Sequence, residues 1–330
     1  LADDEKTLSK RMEKDSYFVR VYAKNQMYTG KHIATKLWVG DYTTGDTFEK
    51  FAQKAEGIKR IGVLRADVDN LGQTFVAGFA GKYATLSRTA ALSRQLSIFF
   101  KYYIRSILKN GEYHIDGEKK LTERNATIVY SGGDDVFIVG AWNEVIELSI
   151  DLQEKFKKYT QGTLSISSGI GIYECTYPIG AIANETGEME AESKRMPEKD
   201  SVTLMDDGET HLINELEICD GTYRWEELYK SVLGEKYDVI QDFLGESDER
   251  GMSFLYRMLE LIRNQKEKIN FARFVYLLSR LEPDKEGEKK EKYRKFSRKM
   301  YQWVQSEKDC RELKTAINLY AYMHREKGAH

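Results

Sequence analysis

The sequence predicts an α+β protein, a ferredoxin-like palm followed by an all-helical C-terminal domain. Three observations lead there. Between Ile61 and Met205, short apolar β-prone runs alternate with helical repeats in the order β, α, β-hairpin, α, β, α, β. In the middle stands "YSGGDDVFIVG", Tyr130 to Gly140, a hairpin with two adjacent aspartates near its tip. From about Trp225 apolar residues recur at helical spacing with charges between them. A chain of 330 residues, 41% of them apolar, is long enough for two domains with their own cores. The expected division is 1–58 as an extended lead-in, 59–222 as the palm and 223–330 as the helical domain.

Each element follows from its pattern. Residues 1–58 mix aromatic segments ("YFVRVYAKN", "ATKLWVGDY") with turn-forming Gly, Asp and Thr, and read as extended. "IGVLRA" is a short apolar strand, after which "LSRTAALSRQLSIFFKYYIRSIL" places Leu92, Leu96, Phe99, Tyr103 and Ile107 on one helical face. A polar loop, Asn110–Asn125, leads to "ATIVY" and "VFIVG", the hairpin strands around "SGGDD". "WNEVIELSIDLQEKFKKY" is helical, with Val145, Leu148, Leu152, Phe156 and Tyr159 in register. "LSISSGIGIY" is a strand, a helix opens at Pro178, and "SVTLM" is the final strand. In a ferredoxin-like sheet the first strand lies beside the hairpin strand, with helices over one face, so its end comes close to the hairpin tip. The helical part contains "GMSFLYRMLELIRNQ", "FARFVYLLSRLE" and "CRELKTAINLYAYMHRE". Its run Lys285–Lys299 has eight basic and three acidic residues and reads as a solvated helix face or as a contact for RNA or a partner.

Composition limits the function classes. Lys plus Arg total 51 against 53 for Asp plus Glu, so any nucleic-acid contact must come from local patches. Cys175, Cys219 and Cys310 are widely spaced, which argues against a zinc knuckle or disulfide framework and suits a reducing compartment. No apolar run approaches a membrane span and the start lacks the layout of a signal peptide, so a cytoplasmic protein without membrane contact is expected. A start at Leu1 rather than Met reads as a fragment.

The chemistry resides in two acidic turns. In GGDD, the Gly132–Gly133 pair permits the positive backbone dihedrals of a tight hairpin, and Asp134 and Asp135 project near its tip. Adjacent carboxylates repel unless a cation lies between them, although Asp and Gly are also ordinary turn residues. The second acidic site is "LRADVDNLG": Asp67 follows the first strand, and the topology carries it to the edge where GGDD lies. Asp67, Asp134 and Asp135 then form the oxygen-rich set that Mg²⁺ (or Mn²⁺) prefers, and two such ions suit nucleotidyl transfer. Asp69 is expected to point differently from Asp67 and suits a capping role. Asn70, Leu71 and Gly72 lead into a helix whose free amides are placed to hold a triphosphate.

Together "RADVDNLG", "LSRQLSIFF", "YSGGDDVFIVG", "LSISSGIGI" and "EAESKR" resemble the second palm domain of the large subunit of type III-A CRISPR effector complexes. The resemblance spans roughly Ile61 to Met205, and the helical remainder is similar to that family's C-terminal domain. It implies a fold related to nucleotidyl cyclases and polymerases, and conversion of ATP into cyclic oligoadenylates once a complex of several subunits and guide RNA captures target RNA. By position it implies Asp67, Asp134 and Asp135 as metal ligands with the Val68 backbone nearby. Ser131, Gly132 and Gly133 would approach nucleotide, and Lys194 would bind phosphate, its alternative being a solvated cation at a helix C-terminus. Family members also carry an HD nuclease domain, a first palm and a cysteine-bearing zinc region. None of the five histidines here (His32, His114, His211, His324, His330) precedes Asp, and the other two regions have no evident counterpart. The expectation is a C-terminal portion that binds ATP and Mg²⁺ and cyclises poorly alone. Two rivals stay open: a diguanylate cyclase-like enzyme, disfavoured by Asp135, Val136 and the helical C-terminus, and a non-catalytic scaffold with a vestigial acidic cluster.

Overall fold

The architecture comes from a computed structural model that describes residues 4–14, 20–24, 33–37, 39–117, 120–206, 208–245, 250–263 and 268–325. Parts of the expected lead-in (15–19, 25–32, Trp38) lie outside the described residues, as do His32, His330 and the last two residues of "GMSFLYRMLELIRNQ". Helix α1 (Glu5–Lys14) precedes a parallel pair, β1 (Arg20–Lys24) and β2 (Ile33–Leu37). Helix α2 (Phe48–Lys54), capped by Thr47, buries Phe51 and Ala52 against the main sheet, and the buried Tyr42 hydroxyl donates to the Arg124 carbonyl at 2.7 Å. Part of the expected extended lead-in is therefore helical, and Phe51 of α2 supplies apolar cover for one face of the main sheet.

The palm proper begins with β3 (Ile61–Val68), whose apolar run is buried on both faces at the centre of the sheet. Helices α3 (Leu71–Ala77), α4 (Leu86–Ile98) and α5 (Ile104–Lys109) follow, with a π-helical stretch, Phe99–Tyr103, joining the last two. That stretch moves the buried stripe: Leu96, Phe99 and Ile107 are buried as predicted, but Phe100 and Ile104 join them while Tyr103 turns outward, 44% exposed. Then come β4 (Ala126–Ser131), β5 (Asp135–Ala141), α6 (Trp142–Tyr159), β6 (Ile166–Tyr173), α7 (Ile179–Ser193), β7 (Ser201–Leu204), the hairpin β8 (Thr210–Ile213) with β9 (Leu216–Cys219), and β10 (Thr222–Arg224). The six-stranded sheet has the order β10-β7-β6-β3-β5-β4. Four adjacent strands, β6-β3-β5-β4, are the predicted ferredoxin-like core. Leu64, Ala66 and Val68 face α4–α6, whereas Ile61 and Val63 pack toward Phe51 of α2 and Ile182 of α7. Helices thus cover both faces, which corrects the one-face expectation: α7 belongs to a parallel crossover from β6 to β7 and must lie opposite the ferredoxin-like helices.

The C-terminal part is helical: α8 (Trp225–Glu227) runs through a π-helical segment, Leu228–Tyr237, into α9 (Asp238–Leu244), followed by α10 (Arg250–Arg263), α11 (Lys268–Ser279), α12 (Glu288–Trp303) and α13 (Glu307–His324). Its core is continuous with that of the palm. Trp225 donates its indole N–H to the Ile166 carbonyl at 2.8 Å, and Trp142 meets Tyr322 edge-on with ring centroids 5.9 Å apart. The expected boundary at 222/223 falls inside β10, so the sheet reaches into the helical part. Helix α12, which carries most of the basic run, buries Tyr293, Phe296, Met300 and Trp303 and pairs several cations with acids, Arg294 with Glu286 at 2.9 Å and Lys299 with Glu235 at 2.7 Å.

Helix α7 depends on Gly169 of β6, because a methyl group there would collide with the Thr186 carbonyl and the Glu190 amide. Gly169→Ala is expected to lower unfolding stability by about 1–3 kcal/mol, read as a reduced urea midpoint with unchanged slope.

Candidate active site

Three carboxylates meet where β3 ends. Antiparallel pairing sets Asp67 opposite Asp135 on β5 and opposite Ser167 on β6, so these side chains leave the same face as neighbours about 5 Å apart at Cβ. Asp134 lies just ahead of β5 at the hairpin tip, where its carbonyl accepts the Val68 N–H at 3.2 Å. Val68 itself ends β3 with its side chain in the core.

The hairpin achieves this without the positive dihedrals expected for it. Among the described glycines with positive φ neither Gly132 nor Gly133 appears. The Gly132 N–H donates to the Asp135 carbonyl at 2.8 Å, and the need for glycine is steric: a methyl group at Gly132 would strike the Tyr130 hydroxyl and Asp135 Oδ1. Gly133 faces open space beside the Ser97 hydroxyl. Ser131 opposes Val136 on the other face of the sheet, where its hydroxyl donates to the Phe100 carbonyl, so that proton is committed away from the carboxylates.

Lys194 caps the C-terminus of α7 and brings its ammonium onto Asp67 and, at 2.7 Å, onto Glu190. Glu190 also pairs with Arg65 at 3.0 Å, which completes a chain Arg65–Glu190–Lys194–Asp67 along one edge of the site. Burial lowers the ammonium pKa, but its hydrogen bonds to Asp67 and Glu190 outweigh that and raise it, so Lys194 stays charged. Asp69 turns away because β3 ends before it, at Val68, and it ties loops together instead of capping a helix. Its Oδ2 accepts from the Ser165 hydroxyl at 2.8 Å and the Asp200 N–H at 3.1 Å. Asn70 adopts a left-handed conformation (φ 53°) before α3, and its side-chain oxygen accepts from Lys199 at 2.7 Å. Leu71 and Gly72 open α3 with no buried residue in that helix.

Partial burial, then the negative charges of Asp67 and Asp135, push the Asp134 carboxyl above its ordinary range, with Lys194 opposing. Among the described residues no group of three His, Cys, Asp or Glu side chains is drawn together tightly enough to hold a metal ion as it stands. The donor set nevertheless fits Mg²⁺ or Mn²⁺. All three groups are hard oxygen ligands, like-charge repulsion raises Asp134, and Asp67 already holds a cation, the Lys194 ammonium. Sequence reasoning missed Arg65, Glu190 and Tyr130. The first two were detectable as a same-face i−2 neighbour of Asp67 and an i−4 neighbour of Lys194, whereas Tyr130 was hidden by an irregularity in β4.

Comparison with known proteins places the fold in a family. Residues 60–203 match the family described as Cas10/Cmr2, second palm domain, and residues 241–326 match the second helical domain of the CRISPR RNA silencing complex Cmr2 subunit. The chain is 43% identical over 313 residues to the CRISPR system single-strand-specific deoxyribonuclease Cas10/Csm1 (subtype III-A) of Mycobacterium tuberculosis. The chain belongs to the Cas10/Csm1 family. That alignment covers 93% of this chain and 37% of the M. tuberculosis protein, so the chain spans little more than a third of its relative's length. The crystal structure of Csm1 in T. onnurineus superposes with a TM-score of 0.72 at 22% identity, covering 93% of this chain and 44% of that one, which establishes the shared fold. A Csm1–Csm4 cassette in complex with pppApApA gives a TM-score of 0.68 at 26% identity, covering 92% and 44%. No helix among the described residues of this Cas10/Csm1 chain is long and apolar enough to cross a membrane.

A carboxyl whose pKa is higher folded than unfolded loses folding stability as pH rises through that interval, so ionised Asp134 disfavours the fold at neutral pH. Asp134→Asn is expected to raise Tm slightly without divalent ions, by about 1–2 °C for roughly 0.5 kcal/mol in a partly exposed group. A melting curve at pH 7 in a chelating buffer checks this.

Proposed function

We propose that this chain carries the nucleotidyl-transferring palm of a type III-A CRISPR effector, joining ATP into 3′–5′ linked and then cyclic oligoadenylates when the assembled complex captures target RNA. The observation that carries the reading is the register that sets Asp67 against Asp135, with Asp134 at the adjoining tip. The pppApApA-bound Csm1–Csm4 relative supports the adenylate class, because that ligand is an ATP-derived linear oligomer with its 5′-triphosphate intact.

Asp67, Asp134 and Asp135, with the Val68 backbone, would hold Mg²⁺ or Mn²⁺, which supplies activation of a ribose 3′-hydroxyl and charge neutralisation at the α-phosphate and pyrophosphate. The residues themselves do the positioning. Lys194 presents a permanent cation at the edge of the carboxylates, suited to phosphate once Asp67 is otherwise neutralised. The Asn70–Gly72 turn opens α3 beside the end of β3 and offers backbone amides, while Gly133 faces open space at the hairpin tip. Other subunits of the complex, guide RNA and target RNA are the partners of this reading, in the cytoplasm. A second nucleotide site would come from chain outside these residues, so isolated turnover should be poor.

Mass spectrometry of ATP incubated with Mg²⁺ or Mn²⁺ tests this for the chain alone and for the complex restored with partner subunits and target RNA. Linked adenylates are expected from the restored complex, and the Asp134→Ala, Asp135→Ala double variant should reduce them at least about a hundredfold. No adenylates from the restored complex would favour a scaffold, and efficient cyclic product from the chain alone would contradict the need for a second nucleotide site.

A further inference from the structure

Strand β4 carries one residue more than its partner. Ile128 pairs with Ile138 and Tyr130 with Phe137, leaving Val129 as a bulge. In a regular strand Tyr130 would share the face of Ile128, turned with Ile138 toward the core. The extra residue reverses that. Phe137 lies two residues from Asp135 along β5 and shares its face, so Tyr130 emerges on the face of Asp135, Asp67 and Lys194, while Ser131 goes to the opposite face and the Phe100 carbonyl.

At that position the Tyr130 hydroxyl and Asp135 Oδ1 share the space above Gly132 that any side chain would fill. The phenol oxygen therefore lies beside the Asp135 carboxylate. The negative charge of Asp135, followed by slight burial, raises the phenol pKa above its ordinary value. The ring is 53% exposed, so core packing does not account for the residue. Bulge and glycine both serve one contact.

We propose that Tyr130 is a positioning residue for the divalent-cation centre, its hydroxyl holding the Asp135 carboxylate turned toward Asp67. The inference rests on the reading of Asp67, Asp134 and Asp135 as metal ligands. A carboxylate beside two like charges swings away unless something fixes it. A neutral donor fixes it without adding a positive charge that would compete with the metal, as an ammonium would. Hydrogen-bond partners behind metal ligands commonly change affinity by about 10–100-fold.

The test is Mn²⁺ titration of the full 330-residue chain without nucleotide, followed by loss of the free-ion electron paramagnetic resonance signal, with melting curves in chelator alongside. Wild type, Tyr130→Phe and Asp135→Asn are compared. Tyr130→Phe should weaken Mn²⁺ binding about 5–30-fold with Tm within about 1 °C of wild type, and Asp135→Asn should abolish binding. If Tyr130→Phe binds like wild type while Asp135→Asn does not bind, the metal reading stands and the role of Tyr130 is overturned. Weaker binding accompanied by a fall in Tm of several degrees would assign the tyrosine to the fold and also overturn the proposal. No Mn²⁺ uptake by wild type would remove the metal reading and this proposal with it.

Discussion

Everything at the candidate site follows from the register of β3 between its two antiparallel neighbours. A shift of one residue against β5 would turn Asp135 into the core and bring Val136 opposite Asp67. The apolar alternation prevents it: Leu64, Ala66 and Val68 have to meet the helices of the ferredoxin-like face, which fixes Arg65 and Asp67 on the other. Burial over the length of β3 therefore specifies which carboxylates converge at its end. The same register sets Ser167 beside Asp67 and Gly169 beneath α7, so Lys194 at the end of that helix arrives at the carboxylates.

The site is arranged against its own electrostatic comfort. Asp134 is pushed upward by burial and two like charges, while Lys194 satisfies Asp67 and Glu190 together. A fold optimised for stability alone would separate these carboxylates, and functional sites commonly retain such unfavourable groupings. Arg65 and Glu190 hold Lys194 in reserve by anchoring the acid that shares its charge. The glycines of the hairpin supply room instead of unusual dihedrals, which gives Asp135 and Tyr130 a common space.

Much of this was legible in the residues. The strand and helix order, the pairing of the two acidic turns and the position of Lys194 at a helix end follow from periodicities of 2 and 3.6, which the buried strands and α6 obey closely. What stayed hidden has identifiable physical causes. Val129 looks like any other β-branched strand residue, so the bulge that reorients Tyr130 and Ser131 carries no sequence mark. The π-helical stretch at Phe99–Tyr103 shifts the buried stripe by an amount that a fixed period cannot express. Phe51 and Tyr42 lie in a segment of mixed pattern; Phe51 is buried against the sheet face of Val63, and Tyr42 in the opposite cluster with its hydroxyl on the Arg124 carbonyl.

The central claim is that the register gathers Asp67, Asp134 and Asp135 to hold divalent cations for phosphoryl chemistry. A crystal of the chain grown with Mn²⁺ and a non-hydrolysable ATP analogue, with anomalous data at the manganese edge, tests it most directly. The account predicts anomalous peaks bounded by Asp67 and Asp135, with the Lys194 ammonium moved off Asp67 onto a phosphate oxygen. Absence of a peak between those carboxylates, with Lys194 still seated on Asp67 while nucleotide is bound, would contradict it.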